Sequence, residues 1–260
     1  MARLSGKGAV IVGADEIGVG VATRFVREGA QVVLVRIGDE APELGPDATW
    51  SLVDVPSLER RADAVAVVGR AVEQLGGVHV LVNNLLGPVE PTPIELKTES
   101  TFAAAMSGAA AALWTMQAAH PYFREQGWGR IVNFGSRYGE RMNWWAADHA
   151  AAAWALRSLT RSAASEWSAD GIRVNMLEAA ADTSEFRAFR EASPETVDAL
   201  LAQVAMRRRG NLVEDIGGAA TFLACDEANF INGHIVYADG GQHLSVAAHD
   251  LTLCPQALVP

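Results

Sequence analysis

Seven short apolar-rich runs punctuate this chain, and most hold consecutive apolar residues where a half-exposed strand would alternate strictly. They fall at 9–12, 31–35, 49–53, 78–82, 130–134, 172–177 and 234–237. A strand that alternates apolar and polar residues keeps one face in water, whereas a strand that is apolar throughout is covered on both. Covering both faces takes helices, and the stretches 19–28, 58–75, 100–123, 149–169 and 213–225 are each long enough to serve as crossovers. Strand–helix–strand units of one hand therefore predict an α/β fold, a doubly wound parallel sheet with helices on both faces. No linker, repeat or low-complexity block divides it, so residues 1–245 read as a single domain and 246–260 as a C-terminal tail that packs on a neighbouring subunit.

Composition narrows the partners. With 21 basic and 31 acidic residues the chain carries a net charge of −10, which argues against nucleic acid and anionic membrane. No apolar run is long enough to span a bilayer, and residues 1–7 have no apolar stretch of a secretory signal, so a cytoplasmic protein is expected. Cys225 and Cys254 offer neither a disulfide framework nor metal-ligand spacing. Two helical stretches, 102–119 and 150–164, are dominated by alanine. Alanine is a strong helix former, and its small side chain also lets helices approach closely, so these stretches are expected to build a subunit interface.

A series of landmarks then appears in a fixed order. Gly13 and Gly18 follow the first apolar run, and Asp54-Val55 closes the third. Leu81-Val82-Asn83-Asn84 ends the fourth, and Gly129-Arg130-Ile131-Val132-Asn133 forms the fifth. Ser136, Gly171-Ile172-Arg173-Val174-Asn175, Ile231-Asn232-Gly233 and Asp239-Gly240-Gly241 complete the set. In this order and spacing the chain resembles a classical short-chain dehydrogenase/reductase from about residue 4 to residue 244. The resemblance implies a Rossmann-type sheet and an NAD(P)-dependent oxidoreductase, acting on a carbonyl or hydroxyl group as a dimer or tetramer.

The family's catalytic residues do not all carry over. There, a serine is followed thirteen residues later by a proton-transferring tyrosine, and four residues further by a lysine that anchors the ribose and lowers the tyrosine pKa. Here Ser136 keeps its place, but His149 and Ala153 stand where the tyrosine and lysine belong. The family's asparagine on the preceding helix is Gly108, nine residues before Gln117. The imidazole of His149 can exchange protons near neutrality. The plainer reading is that it packs or caps at the start of its helix. Asp148 is a sequence neighbour and does not face it. Tyr138 reads as a pocket wall, with only Arg141 nearby to activate it.

The dinucleotide seat is altered as well. Glycines at such a turn let backbone N–H groups and a helix N-terminus approach a diphosphate. This turn reads Gly13-Ala14-Asp15-Glu16-Ile17-Gly18, one residue short and without the middle glycine. Its two carboxylates either occupy the anion seat themselves or turn outward and leave a weakened one. Leu85-Leu86 replaces the small pair after Asn83-Asn84, and Ala179-Ala180, preceded by Glu178, replaces a Pro-Gly. Asp54 keeps the position that meets adenine, and Arg36 stands where a base accepts a 2′-phosphate. Gly13, Gly18, Arg36, Asp54 and Asn83 are thus the vestigial cofactor-binding residues. No cofactor is expected, with weak NAD(P) binding as the alternative and NADP the favoured form.

Arg207-Arg208-Arg209 reads as a solvated or ion-paired run, the sharper alternative being recognition of a phosphate-bearing acyl carrier. Trp144-Trp145 could line an apolar pocket, fill the cleft or anchor an interface. Three functions are compatible with this pattern. The first is a catalytically silent subunit, pairing through its alanine-rich helices with an active relative. The second is a non-redox acid–base enzyme (isomerase, dehydratase or cyclase) that uses Ser136 and His149, with Tyr138 or Glu178, on a small apolar or acyl ligand. The third is a slow NAD(P)-dependent oxidoreductase.

Overall fold

The computed structural model describes residues 2–38, 49–85, 87, 89–137 and 145–244. Seven strands form one sheet: β1 (Gly8–Val12), β2 (Gln31–Ile37), β3 (Ser51–Val55), β4 (Val80–Asn83), β5 (Gly129–Gly135), β6 (Ile172–Ala179) and β7 (Ile235–Ala238). Their order is β3-β2-β1-β4-β5-β6-β7 and every pairing is parallel. The direction of winding reverses between β1 and β4, and in open sheets of this kind ligands lie at the carboxyl ends of the strands beside that reversal.

Successive strand residues point to opposite faces, so the continuous apolar runs split into two cores. Val10, Val12, Val33, Val35, Leu81 and Ile131 face α2 (Arg61–Leu75), α3 (Glu99–Gln126) and α4 (Ala147–Trp167). Ile11, Val32, Leu34, Val82, Val132 and Phe134 face α1 (Glu16–Arg27) and α7 (Gly217–Ala224). Most of the strands and helices read from the sequence lie where expected, with ends displaced by a few residues. The third strand starts two residues later than expected, because its ladder pairs Leu52 with Leu34 and Asp54 with Arg36. The last expected helix begins as a wide turn, Leu212–Ile216, capped by the Asn211 side chain, before continuing as α7.

Two further helices, α5 (Ser184–Ala192) and α6 (Pro194–Ala202), follow β6. Neither is among the expected helices: α5 carries its two phenylalanines on one face but buries no residue, and α6 buries only Val197. The alanine-rich stretches lie within α3 and α4, which pack together on one face of the sheet. Among the described residues no helix is long and apolar enough to cross a membrane, and no group of three or more His, Cys, Asp or Glu side chains could hold a metal ion. Leu86, Tyr138, Arg141, Trp144, Cys254 and the tail 246–260 lie outside the described residues.

Candidate functional site

A cleft of about 1040 Å³ runs along the carboxyl ends of the central strands, lined among others by Gly13, Asp15, Arg36, Asn84, Leu85 and Gly108. One end is the turn between β1 and α1. Gly13 has φ +105°, and a Cβ there would lie 2.0 Å from the Asn84 carbonyl oxygen. A Cβ on Gly18 would lie 1.9 Å from the Gly13 oxygen, so both positions exclude side chains because backbone passes over them. Asp15 is the N-cap of α1. Its Oδ1 accepts the Gly18 N–H at 2.9 Å and the Asn84 side-chain amide at 2.6 Å.

Of the two dispositions open to the acids, Asp15 thus takes the first and seats its own carboxylate at the helix N-terminus. Water reaches Asp15 from the cleft, but the protein around it disfavours the charged form. Crowding by protein raises its pKa in spite of the opposing hydrogen bonds from Gly18 and Asn84. Glu16 turns the other way, to α5. It accepts the Ser184 N–H and pairs with Arg187 at 2.9 Å. Desolvation would raise its pKa, but these partners outweigh it and the net shift is downward.

Two of the family's catalytic positions meet at the end of β5. Ser136 follows β5, and its Oγ lies 3.1 Å from Nε2 of His149. His149 is 3% exposed and sits in the first turn of α4. It therefore does more than pack: its imidazole meets the one catalytic residue retained from the family set. Asp148 accepts the backbone N–H of His149 at 2.9 Å and pairs with Lys97 at 2.8 Å. Burial pushes the Asp148 pKa up, but Lys97 and that N–H more than offset it and hold the group ionised.

Ala153 and Arg157 follow His149 at one-turn steps on the buried face of α4. One turn beyond Ala153, Arg157 pairs with the buried Glu178 of β6 and stacks over Trp154 at 4.5 Å.

At Gly108 a Cβ would stand 1.8 Å from the Leu85 carbonyl oxygen, so the chain leaving β4 crosses directly over α3. Asn83 is fully buried and points away from the cleft. Its amide donates to Asn133 at 2.8 Å, and its oxygen accepts from Thr115 at 2.7 Å. The neighbouring Asn84, not singled out in the sequence, is the one that reaches the anion end of the cleft. At the far end the cleft residue Arg36 donates to Asp54 at 2.6 Å, which lowers the Asp54 pKa, so the two residues expected to meet a nucleotide meet each other.

The arginine run divides. Arg208 pairs with Asp215 at 2.6 Å, while Arg209 folds inward over Phe186 at 4.4 Å and donates to Gln242 at 3.1 Å. Trp145, at φ +63°, accepts the Thr92 N–H through its carbonyl at 3.0 Å.

The family profile described as enoyl-(acyl carrier protein) reductase matches residues 13–243. A 12alpha-hydroxysteroid dehydrogenase of Clostridium sp. (strain ATCC 29733 / VPI C48-50) is 31% identical over 255 residues, covering 93% of this chain and 98% of the relative. The gluconate 5-dehydrogenase of Gluconobacter oxydans (strain 621H) is 30% identical, covering 94% of this chain and 97% of its own. The structure of a gluconate 5-dehydrogenase from Burkholderia cenocepacia J2315, in complex with NADP and tartrate, superposes with a TM-score of 0.82 at 25% identity, over 94% of this chain and 98% of that one. Sheet order, landmark positions and these likenesses along nearly the whole length agree, and the chain belongs to the short-chain dehydrogenase/reductase family.

Proposed function

We propose that this chain is a catalytically silent member of its family, a subunit that pairs through α3 and α4 with an active relative. The observation that carries this reading is the Asp15 carboxylate on the Gly18 N–H, at the place where the family's diphosphate rests. A relative with NADP bound demonstrates that the fold accepts the cofactor, so the reading stands on this chain's own residues. They do not fit a dinucleotide. The first-turn N–H that would meet a phosphate already has a carboxylate acceptor, and a second negative group there competes for that donor and is repelled whenever Asp15 is ionised. Ala153 supplies no ammonium for a ribose, and His149 replaces the tyrosine. Support for pairing comes from the half-exposed Phe102 on α3 and Trp154 on α4, at 48% and 52% exposure.

Calorimetric titration with NAD, NADH, NADP and NADPH, beside an intact family member, tests this reading. Wild type gives no heat of binding at micromolar concentrations, and Asp15→Gly recovers measurable affinity. Micromolar binding by wild type, or a homo-oligomer that turns over an alcohol with NAD(P), would refute the proposal.

A second reading rests on the 3.1 Å contact between Ser136 and His149. A neutral imidazole against a hydroxyl can accept a proton from it or, through it, from a small apolar or acyl substrate, which is the first step of an isomerisation or dehydration. Its test is product formation by nucleotide-free protein that disappears in His149→Ala. An unchanged rate in that variant removes His149 from the mechanism.

A further inference from the structure

α5 is a lightly anchored helix. It buries no residue, so apolar packing does not explain why it holds its place. What holds it is polar. Thr183 caps the helix by accepting the Phe186 N–H at 3.3 Å, and Arg209 lies over the Phe186 ring. At its first turn the Glu16 carboxylate accepts the Ser184 N–H and pairs with Arg187, whose other nitrogen donates to the Asp182 carbonyl at 2.6 Å.

The base of the segment is closed on itself. Ala181 bridges to Gly210, the Gly210 N–H donates to the Ala180 oxygen at 2.8 Å, and the Asp182 N–H donates to the Gly210 oxygen at 2.9 Å. Residues between these points form a flap whose two ends meet, and its α5 edge supplies Thr183, Ser184 and Glu185 to the wall of the cleft.

We propose that Glu16 is a clasp that locks the α5–α6 flap against the first turn of α1 and so keeps the cleft closed on that side without any ligand. The two adjacent acids then have separate tasks: Asp15 caps the helix on which both sit, and Glu16 caps the helix across the cleft. A charge-assisted bond at the N-terminus of α5 joins an ion pair with Arg187, on an element with little else to hold it. Access to the cleft between α1 and α5 requires Glu16 to let go. The inference uses different contacts from the silent-subunit reading and holds whichever function the cleft serves.

Hydrogen–deuterium exchange on the full chain tests it directly. In Glu16→Gln and in Arg187→Met, amides of 184–192 exchange at least tenfold faster than in wild type, while those of 99–126 in α3 keep their rates. On wild type, 1 M sodium chloride reproduces the same localised acceleration by screening the pair. Unchanged exchange at 184–192 in both variants and in salt would overturn the clasp. So would an acceleration spread equally over α3 and the sheet.

Discussion

Replacing Gly108 by the asparagine of the active family members, or even by alanine, should destabilise this protein instead of repairing it. A glycine inside a helix ordinarily costs about 1 kcal/mol relative to alanine, so the substitution starts with that advantage. At position 108 the new Cβ would stand 1.8 Å from the Leu85 oxygen and 2.9 Å from the Gly87 nitrogen, both backbone atoms. Non-bonded carbon and oxygen keep roughly 3.3–3.6 Å apart even in their closest favourable contacts, so the crossing chain has to move by more than an ångström. Overpacking of this kind costs about 1–3 kcal/mol and more where backbone is displaced.

Gly69 in α2 is the internal control, since a Cβ there meets nothing within 4 Å. With backbone displaced the cost lies at the upper end, about 3 kcal/mol, so Gly69→Ala should gain about 1 kcal/mol and Gly108→Ala should lose about 2 kcal/mol net, a gap of about 3 kcal/mol. For a domain of this size each kcal/mol moves Tm by roughly 2–4 °C, well within the reach of thermal and urea denaturation. If the two variants agree to within about 0.5 kcal/mol, the clash argument is wrong. Leu85 would then cross α3 differently, and the family asparagine would fit.

Two further outcomes follow from buried and paired charges. Glu178→Gln or Arg157→Met alone should cost about 3–5 kcal/mol, because each leaves the other charge buried with less compensation, and the double variant should cost less than the sum; a cycle in which the two effects simply add refutes the coupling. Glu28, bonded to Arg3 at 2.6 Å and Arg24 at 3.0 Å, has its pKa held down to about 2, below the ordinary value of 4.5. A depressed folded pKa stabilises the native state above the ordinary value, and that contribution fades as pH falls from about 4.5 toward 2. Urea titrations across that window should therefore show wild type losing its advantage over Glu28→Gln; a pH-independent difference between them excludes the linkage.

Much of the architecture was legible in one dimension. Apolar runs such as 9–12 and 32–35 declare themselves because a strand covered on both faces has no polar side to present. The glycines at 13 and 18 declare themselves because backbone passes within 2.0 Å and 1.9 Å of where their side chains would be. Helix α5 left a fainter trace: Phe186 and Phe189 share one face, but most of its residues are polar and none is buried, and the partner at its first turn comes from position 16.

The same division runs through the site. By itself the sequence determined that Ser136 survives, that the tyrosine, lysine and asparagine are gone, and that two acids occupy the phosphate turn, because each is a matter of residue identity at a counted position. Only the tertiary structure decided where those acids point. It put Asp15 on its own helix and Glu16 on α5, turned Asn83 into the core while Asn84 reached the cleft, and brought Nε2 of His149 to 3.1 Å from Ser136. A carboxylate or amide can satisfy its hydrogen bonds in many directions, and which one it takes depends on donors that chain folding delivers from far along the sequence.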